Sequence, residues 1–194
     1  MTFTTRLFLR EGFGQALWID LVNSEQYDGF GRRTEHLADP SWIGVFARFW
    51  GLELPGNLDH ARTVEELTVL RSLLRSLAEQ WSLHKNITAA GLERLNERLA
   101  VPVHRVLRLE ESGYVLRLVS SEHGWRWIHA QVAASLAVQL SGPEPDRIKS
   151  CPNPDCRWLF LDKTRANSRK WCRDRSCGNR LRVRHARQLA STRH

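Results

Sequence analysis

The chain has 194 residues, enough for one domain of ordinary size plus a small module. Hydrophobic residues make up 42% and charged residues 26%, which excludes a disordered chain and indicates a globular protein with a real core. The formal net charge of +8 is unevenly placed: residues 1–146 carry 15 Lys/Arg against 18 Asp/Glu, whereas residues 147–194 carry 14 against 3. That tail, a net +11 in 48 residues, points to an anionic partner.

The opening MTFTTRLFLREGFGQ is interrupted by Arg6, Arg10 and Glu11, so it lacks the continuous apolar core of a signal peptide. Glu11 to Asn23 is expected to begin as loop or strand and become helical through Ala16, Leu17, Ile19, Leu21 and Val22. Asp20 and Asn23 lie three apart and would share one helical face, which makes them candidates for lining a small-molecule pocket; capping and buried hydrogen bonding are competing roles. Asp39 followed by Pro40 reads as an N-cap and first-turn proline, opening the helix SWIGVFARFW before Gly51. Its Trp42, Phe46, Phe49 and Trp50 recur at helical spacing and are expected to face the core.

Thr63 and Glu66 fit a capping box, predicting a helix that starts at Thr63 with Leu67, Leu70, Leu74, Leu77 and Trp81 as its apolar stripe. A further helix is expected from Thr88 to Ala100, stopped by Pro102. VHRVLRLE and GYVLRLVS alternate apolar and polar residues around Glu111, Ser112 and Gly113, a β-hairpin signal. Gly124 precedes an alanine-rich helix from Trp125 to Leu140. Its polar interruptions at His129, Gln131, Ser135 and Gln139 argue against a membrane span. Ser141 to Asp146, with one glycine and two prolines, coincides with the charge reversal and marks the boundary between residues 1–146 and 147–194. The fold class expected is α+β: a mainly helical first domain with a hairpin, then a small cysteine module.

All four cysteines fall in that module, at Cys151, Cys156, Cys172 and Cys177. Two close pairs separated by a short insert match a tetrahedral four-thiolate zinc site, which calls for one structural Zn2+ with no open catalytic position. Between the pairs, residues 157–161 are expected to form a strand partnered by residues 169–171, with Trp158, Phe160 and Trp171 as packing. A helix should follow Cys177, the layout of a treble-clef finger. So small a module needs the metal to fold.

The stretch CPNPDCRWLFLDKTRANSRKWCRDRSCGNRLRVRHARQ resembles the CGNR zinc finger, in its cysteine pairs, in Phe160 and Asp162, and in Cys177-Gly178-Asn179-Arg180. It departs slightly at Lys163, where the family has a small polar residue nearby. Upstream, LWIDLVNS at residues 17–24 resembles the opening of the ABATE domain that commonly precedes this finger. The resemblance implies a stress-induced transcriptional regulator, with a DNA-binding finger attached to a sensory domain for an unidentified small-molecule effector.

Arg180, Arg184 and Arg187 lie at i, i+4 and i+7 on the expected last helix and would form one basic face. Lys163, Arg165, Asn167, Arg169 and Lys170 form a second cluster suited to phosphate contacts. DNA is the expected partner, with RNA the competitor, because charge alone does not separate them. A homodimer would suit palindromic DNA, and no membrane partner is expected. The expected location is cytoplasmic, at the nucleoid. The alternatives are a zinc-stapled protein adaptor and an RNA-binding protein. The sequence holds no GxxxxGK[ST], GxSxG or HExxH motif, so no enzyme is expected.

Overall fold

The computed structural model describes residues 14–56 and 59–191. The signal-peptide reading of the first residues, and the loop or strand expected at residues 11–13, lie outside the described residues. The chain runs α1 (Leu17–Val22), β1 (Glu25–Tyr27), β2 (Arg33–Glu35), a 3-10 turn, α2 (Pro40–Trp50), α3 (His60–His84) and α4 (Ala89–Leu99). Then follow β3 (Val103–Glu110), β4 (Gly113–Ser120), α5 (Trp125–Ser141), a 3-10 turn, β5 (Ile148–Ser150), β6 (Leu159–Leu161), a π-helical turn over Asp174–Gly178, and α6 (Asn179–Ser191). About half the chain is helical, and among the described residues the strands form three antiparallel hairpins, β1–β2, β3–β4 and β5–β6. The class is α+β.

The core forms around α3. Its Leu67, Leu70, Leu74 and Leu77 are at most 1% exposed and pack with α1, α2 and α5. Burial of four such leucines stabilises the fold by about 1.5–3 kcal/mol each. Asp39 caps α2 as expected, its carboxylate accepting from the Ser41 N–H at 2.9 Å. Trp42 and Phe46 stack in the core, but Phe49 is 47% exposed and Trp50 is only half-buried, so the aromatic stripe splits.

Helix α3 starts one turn before the expected capping box. Asp59 takes the cap by accepting from Ala61 N–H at 2.9 Å. Thr63 lies inside the helix, where its hydroxyl donates to the Asp59 carbonyl at 2.8 Å. A carboxylate at the helix N-terminus also meets the positive end of the dipole, which favours Asp59 over a neutral threonine. Thr88 caps α4, and α5 begins after Gly124, as expected.

Two elements of the C-terminal segment enter the main core rather than standing apart from it. Ile148 on β5 and Leu159 on β6 are fully buried in the same apolar cluster as α1 and α3. Strand β6 pairs with β5, in the register Ile148↔Leu161, Lys149↔Phe160 and Ser150↔Leu159, rather than with residues 169–171. That pairing corrects the expected hairpin. β5 presents its Ile148 to the helical core, and β6 follows it there.

Candidate metal centre and basic surface

Cys151 follows β5, and Cys156 closes a tight turn before β6. In that turn the Cys156 N–H donates to the Asn153 carbonyl at 3.0 Å, and Asn153 Oδ1 accepts from Asp155 N–H at 3.2 Å. Cys172 precedes the π-helical turn that leads into α6 and Cys177 lies within it, so the second pair opens directly into a helix. Gly178 must be glycine: a Cβ there would stand 2.6 Å from Asp174 Oδ1 and 2.9 Å from Trp171. Phe160, fully buried, packs among the cysteines with Trp158 as a second small core.

All four sulfurs lie within 4.8 Å of one another, and every cysteine is buried and unbridged. Cys156 Sγ is 3.5 Å from Cys172 Sγ, and Cys172 Sγ is 3.6 Å from Cys177 Sγ. Zinc–sulfur bonds of about 2.3 Å at tetrahedral angles require sulfur–sulfur edges of about 3.8 Å, so the cage fits. Thiols of Cys156 and Cys172 donate to Cys151 and hold it down to about 2, whereas the same contacts push Cys156 up to about 12 and Cys172 higher still. Four crowded sulfurs lose their protons together only against a divalent cation. The site takes one structural zinc. Asn153 Nδ2 reaches Cys177 Sγ at 3.5 Å, a donor that orients a thiolate ligand.

Asp162 organises the loop beyond the cage. It is fully buried, and its carboxylate accepts from Lys149 Nζ at 2.6 Å, from Thr164 N–H and hydroxyl at 2.8 and 2.6 Å, and from Arg169 N–H at 2.7 Å. Burial opposes its ionisation, but the Lys149 ammonium and these donors hold its pKa well below the usual carboxylate range.

This scaffold sorts the expected basic residues. Lys163, Arg165 and Lys170 are exposed on the loop. Arg169 instead turns inward, over the Phe160 ring, with its guanidinium donating to the carbonyls of Trp171 and Cys172. Asn167 sits in a left-handed turn, φ 49°, with its carbonyl on Lys149 and its amide donating to the Asp146 carbonyl. Both brace the finger and are half-buried.

On α6, Arg180, Arg184 and Arg187 do share a face, and they line an open groove of about 790 Å3 with Gly29, Phe30 and Val183. Arg184 and Arg187 are exposed. Arg180 is engaged: it donates to the Asp28 carbonyl at 2.7 Å and stacks 3.8 Å from the Phe30 ring centroid. Gly29, at φ 82° and without a Cβ, lets that guanidinium lie against the turn. Arg180 therefore clasps α6 to the β1–β2 turn, which the spacing of the helix did not disclose.

Asp20 and Asn23 are both buried and hydrogen-bonded within the chain. Asp20 Oδ2 accepts from Gly14 N–H at 2.7 Å and from Trp50 Nε1 at 3.0 Å. Asn23 clamps β6: its Nδ2 donates to the Leu159 carbonyl at 2.8 Å and its Oδ1 accepts from Leu159 N–H at 3.1 Å. Both side chains are committed because α1 is covered by its neighbours from Trp18 to Val22. Two further buried residues, Arg71 and Arg75, escaped the sequence reading. Arg71 forks onto Glu35 at 2.6 and 2.8 Å and reaches Ser24, whereas Arg75 donates to the carbonyls of Arg157 at 2.7 Å and Val22 at 2.8 Å. Their signal was present: four apart, they fall within the leucine stripe of α3, where a charge must find buried partners.

Comparison with protein families matches both halves of the chain. Residues 15–143 match ABATE, described as a putative stress-induced transcription regulator, and residues 147–189 match the CGNR zinc finger. No curated protein matches the chain significantly.

Proposed function

This chain belongs to the ABATE family and ends in a CGNR zinc finger, and from that premise we propose that its zinc-stapled finger binds duplex DNA. The single observation that carries this reading is the concentration of exposed cations on a metal-braced scaffold. Lys163, Arg165 and Lys170 project from the loop held by Asp162, and Arg184 and Arg187 project from α6, within a segment of net +11. Rigid elements carrying such charges suit phosphate contact, and a helix suits the major groove.

In this reading the four-thiolate site is closed and structural, and the protein is not an enzyme. Residues 1–146 act as the regulatory part. Control by a small-molecule effector reaches the finger through the junction, where Asn23 holds Leu159, Arg75 holds Arg157 and Arg180 holds Asp28. No helix among the described residues is long and apolar enough to cross a membrane, and the proposed place of action is the cytoplasm, at the nucleoid.

The test is salt-titrated binding of the zinc-loaded chain to duplex DNA, single-stranded DNA and RNA. Five phosphate contacts predict a slope of about −4 to −5 in log K against log salt on duplex DNA. Converting Arg184 and Arg187 to Ala should reduce that slope by about 2 while leaving zinc content intact. Binding that is unchanged in the double variant, or stronger for RNA than for duplex DNA, refutes the assignment.

A further inference from the structure

The β3–β4 hairpin carries its apolar face outward. In its register, Leu107 pairs with Leu116, Leu109 with Tyr114, and Arg105 with Leu118. Side chains on paired residues share a face, so Val103, Leu107, Leu109, Tyr114, Leu116 and Leu118 form one surface. They are 49%, 63%, 72%, 76%, 62% and 60% exposed. The opposite face holds the half-buried Val106, Val115 and Val119, with Arg117 paired to Glu110 at 2.8 Å. An antiparallel hairpin ordinarily turns its apolar face inward and its polar face to water. Here the larger apolar residues face solvent.

Six such side chains expose on the order of 700 Å2, above the roughly 300–600 Å2 of the largest patch on a typical monomer. That area is close to the roughly 800 Å2 that each partner contributes to a standard stable interface. A two-stranded ribbon with a bare face is marginal in water, so a cover would also stabilise the hairpin itself.

We propose that this face is a dimer interface, on which two copies of the chain pack hairpin against hairpin about a two-fold axis. The chemistry of the face selects a second copy over a partner of different composition. Its only charged residue is Arg105, so it presents no ionic pattern for an acidic or basic protein to complement. A two-fold interface needs only self-complementarity. With the axis near the central Leu107–Leu116 pair, those leucines meet their counterparts. Each Leu109–Tyr114 tip then covers the Arg105–Leu118 pair of the other copy, and Arg105 gains an aromatic face to lie against. The sheets would stack about 10 Å apart. Nothing in this interface involves the cysteines or the basic residues of the finger, so it stands independently of the DNA reading.

Sedimentation velocity of the zinc-loaded full chain, over a hundredfold range of concentration, tests it. The expected result is a species of twice the chain mass. Replacing Leu107 and Leu116 together by Glu should weaken the dimer by about 100-fold or more, with zinc stoichiometry and far-UV circular dichroism unchanged. Tyr114→Asp, at the exposed tip beside the turn, provides a second disruption should the double variant misfold. A wild-type chain that stays monomeric at every concentration overturns the proposal. So does a dimer that survives both variants.

Discussion

Asn23→Ala removes both hydrogen bonds between α1 and β6 without touching the metal ligands. In the native chain the Asn23 amide satisfies the N–H and the carbonyl of Leu159, at 3.1 and 2.8 Å, and both residues are buried. Truncation leaves two buried backbone groups unpaired, at about 1–3 kcal/mol each, so a loss of about 2–6 kcal/mol is expected. Domains of this kind are held by only about 5–15 kcal/mol in total, so the effect should be large. Urea unfolding of the zinc-loaded protein measures it, and hydrogen exchange locates it: protection should fall over residues 148–161 and along α1. A pocket-lining Asn23 would behave differently, since its loss would expose a cavity wall and leave β6 in place. A destabilisation under about 0.5 kcal/mol, with unchanged exchange at Leu159, would refute the clamp.

Asp20 makes the protein pH-sensitive in an uncommon direction. Burial raises its pKa from 3.8 to about 6, against the opposing donors Gly14 and Trp50. The folded state therefore binds the proton more tightly than the unfolded chain, and stability from this group falls as pH rises between about 4 and 6. The loss is on the order of 3 kcal/mol, and it is complete above pH ~6. Asp20→Asn, which keeps an acceptor for both donors, should flatten the urea midpoint across pH 4–7. Cys156→Ser should cut bound zinc well below one per chain. It should also release protection over residues 151–178 while sparing the helical core, because the small cluster around Phe160 has little else to hold it. Full zinc occupancy in that variant would contradict the four-thiolate assignment.

Much of the site was legible because its determinants are local. Two cysteine pairs in short turns leave few ways to arrange four sulfurs, and Asp39–Pro40 and Thr88 cap their helices from within one turn. Misreadings arose where two local signals competed or where a distant element decided. Asp59 took the cap from Thr63 by one turn. Arg169 and Arg180 carry the same charge as Arg187, yet Phe160 and Phe30 draw them into contacts inside the chain. Composition cannot make that distinction, because it depends on which ring and carbonyl stand within reach.

The sequence by itself determined the zinc ligands, the helices and the two-part charge distribution, since spacing and periodicity operate over a few residues. Tertiary structure alone decided that Asn23 would meet Leu159, 136 residues away, and which partners Arg71 and Arg75 would find beside the leucine stripe. It also decided the orientation of the β3–β4 hairpin. Alternation states that the two faces of a strand differ; only the packing of other elements determines which face remains in water.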